Sequence, residues 1–341
     1  MKKDEHQEQQ FLSVEGAAVF LGISPSYVRK LVKENQIPYI EFDRMVKFDR
    51  ADLTKWMNQK KVTKSRCKKI VVTNQKGGVA KTTASFNIAF NLASQRGARV
   101  LMIDCDPQGS LSVLHDARDL QPTIATVLGD VLAKRENSIR SAIRNTLEIS
   151  PNGKAAHEKL DILPSDLDII KLRGSLEQSV TGRNTLAAAI EPILTEYDFI
   201  VIDTQPSELG IFAQMVLNAA DYVIIPELPD KLSVAAMSDL TALISDTQMF
   251  LNAHLKLLGI FISRAKPGAV IHQDWIDTLK TAYPLFDTII GDRIPVQEAN
   301  QAQCPLVKFQ GKSHAESADE YMRLTNEIVA RIEEYGDHNG I

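Results

Sequence analysis

The segment IVVTNQKGGVAKTTASFNIAFNLASQ, which begins at Ile70, constrains this chain more than any other. An apolar run leads through two adjacent glycines into a stretch with helical spacing, which is the order of a phosphate-binding loop. Such a loop turns successive backbone N–H groups toward phosphate oxygens. That calls for residues without a Cβ at Gly77 and Gly78, followed by a helix N-terminus. Lys81 brings a positive charge to the helix start, and Thr82 a hydroxyl where a magnesium ion is expected. A strand feeding a helix in this way predicts an α/β architecture, a mostly parallel sheet flanked by helices. Aromatic residues make up only 6% of the chain, so the core should be mainly aliphatic, as in such sheets.

Two further strands end in carboxylates. RVLMID runs from Arg99 to Asp104 and continues through Cys105 to Asp106, and DFIVID runs from Asp198 to Asp203. Buried parallel strands bring such ends beside the phosphate loop. Magnesium takes oxygen ligands, often through water, and an attacking water needs an acceptor to orient it. A single aspartate at a strand end is more often a helix cap. Three of them together with a phosphate loop favour a nucleotide site.

The loop departs from the ordinary G-x-x-x-x-G-K-[ST] pattern, because Gln75 stands at the first glycine and Ala80 at the second. It does match K-G-G-x-x-K-[ST]-[ST], and so resembles the deviant Walker A motif of the ParA/MinD family of P-loop NTPases. The resemblance implies that Lys76, Gly77, Gly78, Val79, Ala80, Lys81, Thr82 and Thr83 bind ATP, and that Lys76 reaches across a dimer to the partner's nucleotide. DCDPQGS is similar to the family's switch I, which gives Asp106 the role of orienting the hydrolytic water. DTQPSELG is similar to its switch II, with Gln205 where a proline is usual and Glu208 as an addition. Thr82, Asp104 and Asp203 thereby inherit the surroundings of Mg2+, the aspartates through water, and Pro226 falls where the family holds the adenine. Catalysis is expected of Lys76, Lys81 and Asp106. The resemblance extends from about Lys69 to Ile332; within it, residues 115–159 are less regular, with a helical stretch at Ile124 to Leu132 and a polar loop around Pro151, Asn152 and Gly153.

The front of the chain differs in charge. Residues 1–69 hold 15 Lys/Arg and 9 Asp/Glu, a net +6, whereas the remainder carries −10. A basic segment on an acidic body fits contact with nucleic acid, although six of those basic residues lie between Lys60 and Lys69, where a solvated linker would serve as well. Ser13 can cap a short helix that Gly22 ends, and Ser24 caps a second with Pro25 at its first position and Val28, Leu31 and Val32 inward. Ser26, Tyr27, Arg29, Lys30 and Lys33 are left outside. This is the layout of a helix-turn-helix with a recognition helix. Tyr39 to Phe48 alternates around Asp43 and Arg44 as a hairpin, and Asp49 begins a third helix with Leu53, Trp56 and Met57 inward. The whole resembles the winged helix-turn-helix of the MerR and excisionase type, so DNA contacts are expected from Ser26, Tyr27, Arg29, Lys30, Lys33, Arg44 and Lys47. The expected division is a DNA-binding domain at 11–57, a basic linker at 58–69 and a P-loop ATPase domain at 70–336.

Three scattered cysteines, Cys67, Cys105 and Cys304, form no C-x-x-C pair, which fits reduced thiols and removes an iron-sulfur cluster from consideration. No run of eighteen apolar residues occurs, and the final EIVARIEEYGDHNGI is too acidic for a membrane-binding amphipathic helix. His254, His272 and His314 have no ligand-like spacing. A cytoplasmic, nucleoid-associated protein is expected, with no membrane contact. The family resemblance implies ATP-driven homodimerisation, DNA coating without sequence preference, and hydrolysis stimulated by a centromere-binding ParB-like partner, so that plasmid or chromosome cargo is partitioned. Alternatives are an ATP-responsive transcriptional regulator and a positioning ATPase for a cargo other than DNA.

Overall fold

The computed structural model describes residues 11–21, 23–34, 36–42, 45–60, 67–118, 120–149, 158–206, 210–229, 233–266, 273–309 and 314–337. The chain divides into two compact units, Met1–Ser65 and Arg66–Ile341.

The first unit runs β1 (Phe11–Leu12), α1 (Val14–Leu21), α2 (Pro25–Lys33), β2 (Ile40–Phe42), β3 (Met45–Asp49) and α3 (Arg50–Lys60). Side-chain oxygens start the helices as the sequence predicts. Ser13 Oγ accepts from Gly16 N at 3.1 Å, Ser24 Oγ from Tyr27 N at 3.3 Å, and Asp49 Oδ1 from Ala51 N at 2.7 Å. Ala17, Ala18, Val28, Leu31, Phe48 and Leu53 form the small core. β2 and β3 pair antiparallel, Ile40 opposite Lys47 and Phe42 opposite Met45, and this hairpin is the wing. β1 adds to the other edge of β3, with Leu12 opposite Phe48. A strand of two residues has no periodicity, so the sequence does not mark it. The polar stretch at 58–69 is also shorter than its composition suggests: α3 continues to Lys60, and Lys68 and Lys69 already belong to a strand of the second unit.

That second unit continues β4 (Lys68–Val72), α4 (Lys81–Arg96), β5 (Val100–Cys105), α5 (Ser110–Leu114), α6 (Ile124–Leu132), α7 (Ile139–Ala142), β6 (Arg144–Ile149) and β7 (Glu158–Leu163). It then runs α8 (Arg173–Gln178), α9 (Thr185–Ile190), β8 (Phe199–Thr204), α10 (Ile211–Ala219), β9 (Tyr222–Glu227), α11 (Ser233–Phe250), β10 (Lys256–Ile262), α12 (Gln273–Ala282), α13 (Ile294–Gln301) and α14 (His314–Asp337). The sheet order is β10-β9-β4-β8-β5-β7-β6, parallel throughout except where β6 pairs with β7. Apolar packing covers both faces, which is why the central strands read as unbroken apolar runs. From β4, Val71 enters one core with Leu101, Ile103 and Ile202, and Ile70 and Val72 enter the other with Phe86, Phe90 and Leu324.

The edge strand β6 lies in the stretch that reads as irregular, and the loop at 151–153 lies outside the described residues. Among the described residues no helix is long and apolar enough to cross a membrane. Cys67, Cys105 and Cys304 are free thiols.

Candidate functional site

The turn from β4 into α4 is built on two left-handed residues. Gly78 has φ +74° and Ala80 φ +67°. Glycine takes this conformation freely, whereas alanine at position 80 carries a cost of about 1–2 kcal/mol. The surroundings hold it there. Lys81 Nζ donates to the carbonyl of Lys76 at 2.8 Å, closing the loop on itself. Arg264 Nη1 donates to Gly78 O at 2.9 Å, and Ser263 Oγ to Val79 O at 3.0 Å. Asn74 Oδ1 accepts from Lys76 N at 3.0 Å, while Asn74 Nδ2 donates to Pro226 O at 2.7 Å and Glu227 Oε2 at 3.0 Å. Nothing in the sequence singled out Asn74, Glu227, Ser263 or Arg264. The available signal was a polar residue ending an otherwise apolar strand, as Glu227 ends YVIIPE.

Lys81 is buried, and that burial lowers its pKa, while the nearby Asp203 and Asp106 work in the opposite direction and favour its charge. Asp104 and Asp203 stand at paired register positions of β5 and β8, both fully buried. Thr82 Oγ1 donates to Asp203 Oδ2 at 2.7 Å, and Ser85 Oγ to Asp203 Oδ1 at 2.9 Å. Asp104 Oδ1 accepts from Asp106 N at 3.0 Å, and its Oδ2 from Ser112 N and Ser112 Oγ at 2.8 and 2.7 Å. Burial raises the pKa of both carboxyls, and for Asp203 the neighbouring Asp104 adds to the effect. Asp106, 7% exposed, accepts from Gln108 N at 2.8 Å.

Asp203 is thus joined to the first turn of α4, as the sequence suggests, but Asp104 spends both oxygens on the turn that carries Asp106. The described residues contain no cluster of three or more His, Cys, Asp or Glu able to cage a metal. A hydroxyl and a carboxylate alone suit magnesium, which keeps waters and uses substrate phosphates to complete its shell.

Beside the loop lies a cleft of ≈ 350 Å³ lined by Gly78, Ala80, Thr83, Arg264, Ile290, Asp292, Val296, Asn300 and Tyr321, among others. Asn300 Nδ2 donates to Thr83 Oγ1 across it at 2.9 Å. Pro226 does not line this cleft. It is a residue of β9 whose carbonyl is taken by Asn74.

In the first unit, α2 exposes Ser26, Tyr27, Arg29, Lys30 and Lys33 together, and Lys47 is half-buried on β3. Arg29 does not project freely, because its Nη2 is bonded to Glu15 Oε1 of α1 at 2.7 Å. Arg44 lies outside the described residues.

A family model described as an AAA domain matches residues 67–257, which is more than half of the chain, and a helix-turn-helix domain model matches residues 11–61. The chain belongs to the ParA/MinD-like AAA family. An uncharacterised protein of Mycobacterium tuberculosis is 32% identical to this family member over 272 residues, 78% of this chain and 79% of that protein. The chromosome-partitioning ATPase Soj of Treponema pallidum is 30% identical over 267 residues, 77% of this chain and 98% of its own. Among solved structures, the cobyrinic acid a,c-diamide synthase of Mycobacterium smegmatis with bound ADP and magnesium superposes with a TM-score of 0.63 at 25% identity, covering 78% of this ParA/MinD-like chain and 96% of that one.

Proposed function

We propose that this chain is an ATP-dependent partition ATPase. It binds ATP with magnesium, pairs with a second copy in the ATP state, coats DNA without sequence preference as that dimer, and releases it when a cargo-bound ParB-like partner speeds hydrolysis. The observation that carries this reading is the convergence of Thr82 and Ser85 on Asp203 at the start of α4, with Lys81 and Asp106 alongside. Support also comes from the relatives, among them a chromosome-partitioning ATPase.

In this reading the loop N–H groups and Lys81 receive the β- and γ-phosphates, and the base and ribose occupy the cleft beside Thr83 and Ile290. The Thr82 hydroxyl and, through water, Asp203 would hold magnesium, which when bound would supply neutralising charge for the phosphates. Asp106 accepts a hydrogen bond from the attacking water and sets its line of approach, while Asp104 fixes the backbone that carries Asp106. No covalent intermediate is needed, so the chain contributes positioning and electrostatics, and a poorly aligned water keeps the protein slow on its own.

We assign residues 11–57 to operator binding through α2 and the wing, the basic segment between α3 and β4 to a connection, and the unit from β4 through residue 336 to the ATPase. The exposed recognition face of α2 favours a second reading, an ATP-responsive regulator, and the two can coexist in one protein. ATP turnover measured alone, with DNA, and with DNA plus the protein encoded by the adjacent gene tests the proposal. Slow basal turnover that rises only with both additions is expected. No turnover under any of these conditions would remove the ATPase reading.

A further inference from the structure

We infer that Glu227 is the resting counter-ion of Lys76, a positioning residue that keeps this lysine at its own loop and so restrains pairing of two copies. The inference rests on the reading that Lys76 acts across the dimer. Glu227 closes β9 with its side chain only 1% exposed, and its Oε1 lies 3.8 Å from Lys76 Nζ. Among the described residues its other partners there are neutral: Oε1 accepts from Leu228 N at 3.1 Å and Oε2 from Asn74 Nδ2 at 3.0 Å. Asn74 also holds the backbone N–H of Lys76, so one side chain brackets both members of the ion pair. The Lys76 side chain, by contrast, is 26% exposed.

A carboxylate withdrawn from water requires a nearby cation, and removing that cation costs far more than the pair contributes when intact. If Lys76 swings toward a nucleotide in a second copy, Glu227 keeps only neutral donors among the described residues. In a symmetric pair this penalty is incurred twice. The carboxylate therefore makes departure of the lysine unfavourable unless nucleotide phosphates in the partner offer a stronger site, which ties pairing to the ATP state.

The test measures dimer dissociation by sedimentation with a non-hydrolysable ATP analogue. Glu227→Gln keeps the shape and an acceptor for Asn74 but removes the charge, and it should tighten the dimer about tenfold, a coupling within the range usual between linked sites. Glu227→Asp, which retains the charge one methylene further back, should fall between wild type and Gln, and it decides the matter if the Gln variant does not fold. In a Lys76→Ala background Glu227→Gln should bring no tightening. An unchanged or weaker dimer in a folded Glu227 variant overturns the inference, as does tightening that persists without Lys76. If Lys76→Ala alone dimerises like wild type, the reading of a lysine acting in trans is what fails.

Discussion

Asp104 and Asp203 occupy the same register position on neighbouring parallel strands, yet their carboxylates serve different ends of the site. Asp203 is bonded by Thr82 and Ser85 of α4, whereas Asp104 is bonded by Asp106 N of the β5–α5 turn and by Ser112 of α5. The difference predicts separable phenotypes. Asp203→Asn should leave the fold in place and reduce ATP turnover by about 100-fold or more, the scale expected when a preorganised electrostatic group is lost. Asp104→Asn should act mainly on the turn, lowering stability by about 1–3 kcal/mol through its unsatisfied buried partners. Denaturant unfolding and ATPase rates, measured on both variants, check the split; equal loss of stability in the two would contradict it.

Asp106 sits where the β5 strand releases the chain, near Lys81 and bonded to Gln108 N. Asp106→Ala should preserve nucleotide binding and abolish partner-stimulated hydrolysis, leaving an ATP dimer held on DNA. Stimulated turnover at the wild-type rate would show that another group orients the water.

Much of this was legible in the sequence because the chemistry demands local signals. Backbone cradling of phosphates needs Gly77 and Gly78, and strand-end carboxylates at 104 and 203 mark the carboxyl ends of parallel strands. What lies across the fold left no such mark. Glu227 and Asn74 are 153 positions apart, counted as 227 minus 74, and meet only because β9 is the neighbour of β4. Ala80 adopts a conformation that glycine would ordinarily supply, so pattern matching registers a mismatch where the backbone has kept the turn. Arg29 belongs to the outer face of its helix by periodicity, yet Glu15 on the preceding helix captures it.

The two loop lysines should separate by assay. Lys81 is buried and closes the loop through Lys76 O, so Lys81→Ala should weaken nucleotide binding itself. Lys76→Ala should retain monomer binding and lose the ATP-dependent dimer together with hydrolysis. Fluorescent nucleotide titration and sedimentation distinguish these outcomes, and a normal dimer with normal turnover for Lys76→Ala would set aside the role taken from the family motif.

His115, at the end of α5, is 6% exposed and meets the Phe86 ring edge-on at 4.9 Å. Burial lowers its pKa from 6.5 to about 4, so the unfolded chain binds the proton at a higher pH than the native chain does. Stability from this group is complete above about pH 6.5 and is lost as pH falls toward 4, by about 3 kcal/mol over the window. Urea unfolding of wild type and His115→Gln at pH 7.5 and 4.5 should show the smaller acid loss in the variant. Identical losses would mean that the imidazole is already accommodated when charged.

The two units predict two modes of DNA binding that one truncation can separate. Specific contacts are assigned to the exposed face of α2, where a good base pairing contributes about 1–3 kcal/mol of discrimination. Arg29 must first leave Glu15, but both side chains are largely exposed, at 61% and 64%, so that pair offers little resistance. Arg29→Ala should therefore relax or lose the specific site with little change in ATP turnover, and Glu15→Gln should leave specific affinity unchanged or slightly raised. Non-specific contacts are assigned to the ATP-bound second unit and should weaken steeply with salt, each phosphate contact adding about −0.9 to the slope of log K against log salt. Removing residues 1–60 should eliminate binding to a site in the protein's own promoter while ATP-dependent binding to random DNA persists. If the truncated protein loses all ATP-dependent DNA binding yet still hydrolyses ATP, the first unit is the sole DNA contact. The nucleotide then controls a regulator rather than a DNA-coating dimer.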